Sequence, residues 1–309
     1  MTALSVARIV TPTDVWRTWT LDPVVLAGLI VVALVYGAGV RALWGPGRPG
    51  RGIEPWRVWV FGAGLASLAV ALVSPLDGLA DALLSAHMVQ HLVLTVVAPP
   101  MLVLGRPAVA AAAARPGWRR AAIRAARRPM PRRIVGLVGH PVVVWVLAPV
   151  ALWGWHLPPL YDLAVRDDAV HALEHASFLG TAVLFWWTAL QPSGRRRLAR
   201  GADVLFVATG ALQGAVLGAL ITFASTPLFA PYAVSSASWG VSPLQDQQWA
   251  GAVMWIPSGF VHLGIAATLF VRWLTWMDRD AARREARMPR FVAPRPGSLT
   301  ASSEGGRSP

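Results

Sequence analysis

The chain has 309 residues, 55% of them hydrophobic and 14% charged, where an ordinary soluble domain carries about 25% charged residues. This excess excludes a water-soluble enzyme and points to a helical bundle whose outer surface is itself apolar, as lipid-facing helices are. A net charge of +13 would suggest a nucleic-acid partner in a soluble protein, so its location has to be found first. Lys is absent and all 28 basic residues are Arg, which reads as composition bias rather than Arg-specific recognition. Cys is absent too. That excludes disulfides, thiolate zinc sites, iron–sulfur clusters and Cys-x-x-Cys copper carriers, and leaves His, Met, carboxylate and backbone oxygen as metal ligands.

Seven stretches are long and apolar enough to cross a hydrocarbon layer of ~30 Å at ~1.5 Å per residue. They fall at about 23–43, 56–74, 79–104, 135–157, 170–190, 203–224 and 249–275. Pro99-Pro100 in the third and Pro257 in the seventh predict kinks or breaks. With these spans, 25 of the 28 Arg residues fall on one side. They lie in the loops after spans one, three and five and in the tail from Arg272. The opposite side keeps Arg8, Arg17 and Arg166 together with Asp14, Asp22, Asp77, Asp81, Asp162, Asp167, Asp168 and Asp246. The positive-inside rule then places the N-terminus outside and the C-terminus in the cytoplasm.

The expected fold class is therefore all-α, an integral membrane bundle of seven transmembrane helices. Residues 1–22 form a short outer segment, 23–276 the transmembrane domain, and 277–309 a basic, disordered cytoplasmic tail rich in Pro, Gly and Ser at its end. No basic segment, apolar core and small-residue cleavage site precede the first span, so no removed signal peptide is expected. The charge encodes orientation, so membrane lipids rather than nucleic acid are the expected surroundings. Trp118 to Arg124 reads either as an interfacial helix on the anionic inner leaflet or as a solvated basic loop. Gly210, Gly214 and Gly218 make a small-residue stripe for close helix packing in span six.

Ionisable groups inside spans are rare and functional by default. His87 and His91 lie four apart in span three, and His171 and His175 four apart at the start of span five, so each pair shares one helix face. His156 ends span four on the same outer side, His262 lies near the middle of span seven, and His140 alone is at the cytoplasmic end. The convergence suits a metal or haem site, or a proton or ion path. Imidazole suits copper, zinc, iron and nickel, and the thioethers of Met88 and Met254 in the outer half add a preference for copper(I). His171-Ala172-Leu173-Glu174-His175 also matches the H-x-x-E-H zinc hydrolase signature, with Glu174 as general base or as an orienting carboxylate. A third ligand for such a site would come from Asp246 or from Asp162, Asp167 and Asp168. Asp246, Gln247 and Gln248 enter span seven either as interfacial caps or as hydrogen-bond partners to the His cluster from above.

Several ordered blocks resemble the polytopic CtaG-type cytochrome c oxidase assembly factors of bacteria, seven-span proteins associated with caa-type oxidases. The blocks are His87-Met88-Val89-Gln90-His91, Pro99-Pro100, Gly105-Arg106-Pro107, Trp155-His156, Leu160-Tyr161-Asp162, His171, Glu174-His175, Trp186-Trp187 and Asp246-Gln247-Gln248. Ala250-Gly251, Met254-Trp255 and Pro257 complete the series. Together they cover about residues 55–275. The family pattern has Gly-Gly after the span-seven proline where this chain has Ser258-Gly259, and His262 is not part of it. The resemblance implies a non-enzymatic role in maturing the oxidase, by delivery of copper to its subunits. His87, His91, His156, His171 and His175 would be the metal residues. Glu174, Asp246, Met88, Met254 and His262 would support them, with no catalytic residue. The residues alone leave haem or zinc as alternatives, in a membrane redox protein or a membrane metallopeptidase.

Overall fold

The computed structural model describes residues 10–287 apart from 116, 119, 121–123, 125–127, 191–197 and 200. Among them no strand occurs. Thirteen α-helices among the described residues run in chain order: α1 Pro23–Trp44, α2 Pro55–Val73, α3 Pro75–Ala82, α4 Leu84–Leu92, α5 Ala98–Leu104, α6 Pro107–Ala114, α7 Pro129–Val138, α8 Pro141–Trp155, α9 Pro158–Arg166, α10 Asp168–Leu190, α11 Ala202–Thr222, α12 Tyr232–Ser235 and α13 Pro243–Arg287. Proline opens eight of these helices, where its fixed φ suits a first turn and its missing N–H costs nothing.

Five helical segments among the described residues are long and apolar enough to span a membrane: α1, α2, the α4–α5 run, α11 and α13. The α8–α9 pair, bent by 74°, adds a sixth. Helix α10 is 23 residues long but carries Asp168, His171, Glu174 and His175 in its first turns. The α4–α5 span is the centre of the bundle, with 56% of its apolar window buried against 17–28% in the other four. α2 and α10 pack on its α5 half and α13 on its α4 half.

Three expected spans have different boundaries. Span three, expected at 79–104, is broken at Leu83 and starts at Leu84. Within it Val93–Val97 is a π-helical segment. Pro99 has no N–H to offer the Thr95 carbonyl, and the buried Trp186 indole on α10 donates to that oxygen instead at 2.9 Å. Span four, expected at 135–157, begins at Pro141 because His140 is extended, and turns sharply after Trp155. Span seven, expected at 249–275, lies within the 45-residue α13, which passes through Pro257 unbroken. At ~1.5 Å per residue α13 is about 67 Å long, twice the hydrocarbon thickness. Its last turns hold the Arg284–Asp280 pair at 2.9 Å, so residues 277–287, expected as disordered tail, are helical. Residues 288–309, the short interfacial stretch from Trp118 to Arg124 in most of its residues, and Arg195 to Arg197 lie outside the described residues.

α11 and α13 approach most closely. A methyl group at Gly251 would come within 2.7 Å of the Gly218 carbonyl oxygen, so both positions require glycine. In the expected stripe Gly218 serves this contact, Gly210 faces the Phe185 ring, where a methyl group would come within 2.6 Å, and Gly210 and Gly214 both line a cavity.

Candidate metal centre

Two helices bring the paired histidines together. α4 carries His87 and His91 one turn apart, and α10 carries His171, Glu174 and His175 on the facing surface. The His87 and His91 rings are 4.3 Å apart, His171 and His175 4.2 Å, His91 and His175 5.4 Å, and His87 and His171 5.3 Å. Ligand atoms of His87, His91 and His175 all lie within 4.8 Å of one another, as do those of His87, His171 and Glu174. A tetrahedral ion with bonds of ~2.0 Å needs ligand atoms roughly 3.3 Å apart, a spacing that small ring rotations reach.

The hydrogen bonds fix the tautomers. The Tyr232 hydroxyl donates to the Ala80 carbonyl at 3.1 Å, so its oxygen accepts from His87 Nδ1 at 2.7 Å. Tyr161 also donates to that oxygen, at 3.3 Å. Burial pushes the Tyr232 hydroxyl pKa up and keeps it a neutral partner. Neutral His87 therefore turns the Nε2 lone pair inward, where His91 Nε2 donates to it at 2.8 Å. His91 Nδ1 is then left bare and without a partner. The nearest carboxylate oxygen, Glu174 Oε1, is 3.7 Å from His91 Nε2, beyond hydrogen-bonding distance.

This region concentrates unpartnered buried polar atoms: His91 Nδ1, His156 Nε2, His171 Nε2, His175 Nε2 and both Glu174 oxygens. Each such atom costs ~1–3 kcal/mol in a folded protein, and an unpaired carboxylate costs more. Glu174 is 0% exposed. Six such atoms at one place are the donor set that a bound cation satisfies: imidazole nitrogens, a carboxylate and no competing partner.

Asp246 and Gln247 do not touch the His cluster. Asp246 accepts from Leu84 N at 2.7 Å, Ser85 N at 3.1 Å and Ser85 Oγ at 2.5 Å, so it caps the start of the helix that carries His87 and His91. Gln247 accepts from Leu228 N at 2.6 Å and donates to the Thr226 carbonyl at 3.2 Å, fastening the loop before α12. Near the His171 end of the cluster, α3 presents Asp77 and Asp81, and α10 presents Asp168. Burial and the neighbouring Asp77 and Asp168 push the Asp81 carboxyl up to about 6. Gln90, buried one turn from His87, donates to Asp77 at 2.7 Å.

The remaining predicted residues form a second layer. A cavity of about 110 Å³ is lined by Met88, His91, His156, Met254, Ser258 and His262 among others, with Phe178, Phe185 and Trp186 as its aromatic walls. His91 belongs to both layers. His140 is exposed at the start of α8, away from both. Tyr161, Tyr232 and Ser258 are polar partners that sequence reasoning missed. Tyr161 stood in a quoted block, but Tyr232 sits on the four-residue α12 in a loop, where no periodicity marks it.

The cytochrome c oxidase caa3 assembly factor family (Caa3_CtaG) matches residues 34–275. The chain belongs to this family. It is also similar to uncharacterized proteins of Mycobacterium bovis (strain ATCC BAA-935 / AF2122/97) and Mycobacterium tuberculosis (strain CDC 1551 / Oshkosh), each 28% identical over 92% of this chain and 42% of the relative. A Mycobacterium leprae protein (strain TN) is 26% identical over 86% of this chain and 41% of its own length. The chain thus spans about two fifths of these curated relatives. No solved structure matches it. As a member of this family with several helices long and apolar enough to cross a membrane, it is a multi-pass protein of the bacterial plasma membrane.

Proposed function

We propose that this caa3 assembly factor receives a copper ion at the His87, His91, His171, His175 and Glu174 cluster and passes it to subunits of the oxidase. The observation that carries this reading is the group of five unpartnered buried donor atoms on α4 and α10: His91 Nδ1, His171 Nε2, His175 Nε2 and both Glu174 oxygens. The protein acts without catalysing a reaction, and copper is its cargo. Imidazole and carboxylate bind copper(II), and two or three imidazoles suffice for copper(I). If α10, the expected span five, also crosses, the chain has seven spans, and the positive-inside rule puts the Arg-bearing ends of α1, α2 and α13 in the cytoplasm and the cluster on the outer side.

The packing favours a single ion over a haem, because rings 4.2–6.1 Å apart leave no slot for a macrocycle. It also favours cargo over hydrolysis. Glu174 groups with His87 and His171 as a ligand, and the site is buried rather than laid along a cleft that a peptide could enter. The test is a deletion strain complemented with wild type or with His87→Ala/His175→Ala, followed by copper analysis of the purified oxidase. Copper-deficient oxidase from the variant, and full metallation from wild type, is the expected result. Fully metallated, active oxidase in the deletion strain would refute the reading.

A further inference from the structure

The cavity beneath the cluster has its own donor set, of a different kind. His156 caps the end of α8 and is 5% exposed. Its Nδ1 lies 2.6 Å from the Leu152 carbonyl, which can only accept, so Nδ1 carries the proton and the lone pair is on Nε2. That Nε2 has no partner. His262 repeats the arrangement: its Nδ1 donates to the Ser258 carbonyl at 2.8 Å, so its lone pair is also on Nε2. A backbone carbonyl that holds one ring N–H and aims the other nitrogen is the usual support of a metal-binding imidazole. Both residues line the cavity, and so do Met88 and Met254. The two methionines belong to one packed apolar cluster with Leu152, the residue whose carbonyl holds His156. His262 follows Met254 by two helical turns, about 12 Å along α13.

We propose that this cavity is a second metal station, holding a monovalent soft cation, copper(I), between His156 Nε2 and the thioethers of Met88 and Met254. His91 connects the stations, because its ring lies in the upper cluster and also lines the cavity, 5.9 Å from the His156 ring. Two thioethers and one imidazole in an apolar chamber select a soft monovalent ion, whereas the imidazole–carboxylate set above accepts harder divalent ions. His262 marks the far end of the chamber. The proposal rests on the reading of the upper cluster only for the source of the ion.

The absence of Cys gives a direct test, because any sulfur bound to the ion must be a methionine thioether. The full chain in detergent is loaded with copper(I) and examined by X-ray absorption. A mixed nitrogen–sulfur shell is expected. The volume-conserving Met88→Leu/Met254→Leu variant is expected to lose the sulfur shell and one copper(I) per chain, with its unfolding midpoint and zinc(II) content unchanged. A nitrogen-only shell in wild type, or a sulfur shell that survives in the variant, would overturn the proposal. Failure of the upper cluster reads out separately, as zinc(II) content unaffected by His87→Ala/His175→Ala.

Discussion

Among single side chains, Asp246 and Asp81 have the clearest consequences. Asp246 reaches from α13 to cap α4 with three hydrogen bonds, and it sets where the His87–His91 face begins. Asp246→Ala leaves two N-terminal N–H groups unpaired and is expected to cost ~1–3 kcal/mol, seen as a lower unfolding midpoint in detergent. An unchanged midpoint would show that the cap contributes nothing. Asp81 gives a pH dependence. Its carboxyl is raised from 3.8 to about 6, so the folded protein holds the proton more tightly than the unfolded chain. Its contribution is complete below the unfolded value and is lost as pH rises through about 6. Asp81→Asn is therefore expected to raise the midpoint above about pH 7, by less than the full shift implies because solvent screens the exposed side chain, and to leave it unchanged near pH 3. Equal gains at both pH values would point to packing instead of charge. The His pairs were legible in the sequence because four-residue spacing on a helix needs no tertiary information. The cap was not, since Asp246 lies 162 positions from Leu84 and nothing local ties them.

For the helices, the central span shows both the reach and the limit of sequence patterning. Pro99-Pro100 announced an irregularity, and the π segment at Val93–Val97 lies just before it. What the sequence left open was which group would satisfy the carbonyl that Pro99 strands, and the answer is the Trp186 indole. Trp186→Phe keeps most of the apolar contact and removes that donor. It is expected to lower stability by ~1–3 kcal/mol and, through Thr95, whose hydroxyl donates to the His91 carbonyl, to weaken zinc(II) binding as read by competition with a chelator. Wild-type zinc affinity in a destabilised variant would separate the hinge from the site. The break at Leu83 had no local signature, because its cap comes from α13. The break between α8 and α9 falls where span four was expected to end, at His156 and just before Pro158-Pro159. What the sequence left open was that Pro158–Arg166 is itself helical and bent by 74° from α8.

Over the whole molecule, charge segregation carried most of the information. In the expected topology, a greasy chain with +13 keeps 25 of its 28 Arg residues on one face and the paired histidines on the other. Span limits followed from hydropathy to within a few residues for α1, α2 and α11. α10 differs because its first two turns hold the chemistry, and that polar load is what takes it out of the apolar set. Orientation is testable with the natural absence of Cys. Thr13→Cys is expected to react with a membrane-impermeant maleimide in intact cells, and Ala282→Cys only after lysis. The reverse pattern would place the cluster on the cytoplasmic side. The central claim, that the facing histidines of α4 and α10 hold a metal ion, is tested most directly by elemental analysis of the purified chain after copper or zinc loading. About one ion per chain bound at the upper cluster, lost in His87→Ala/His175→Ala while the fold is retained, is the result this account expects. A metal content that is unchanged by those substitutions would contradict it.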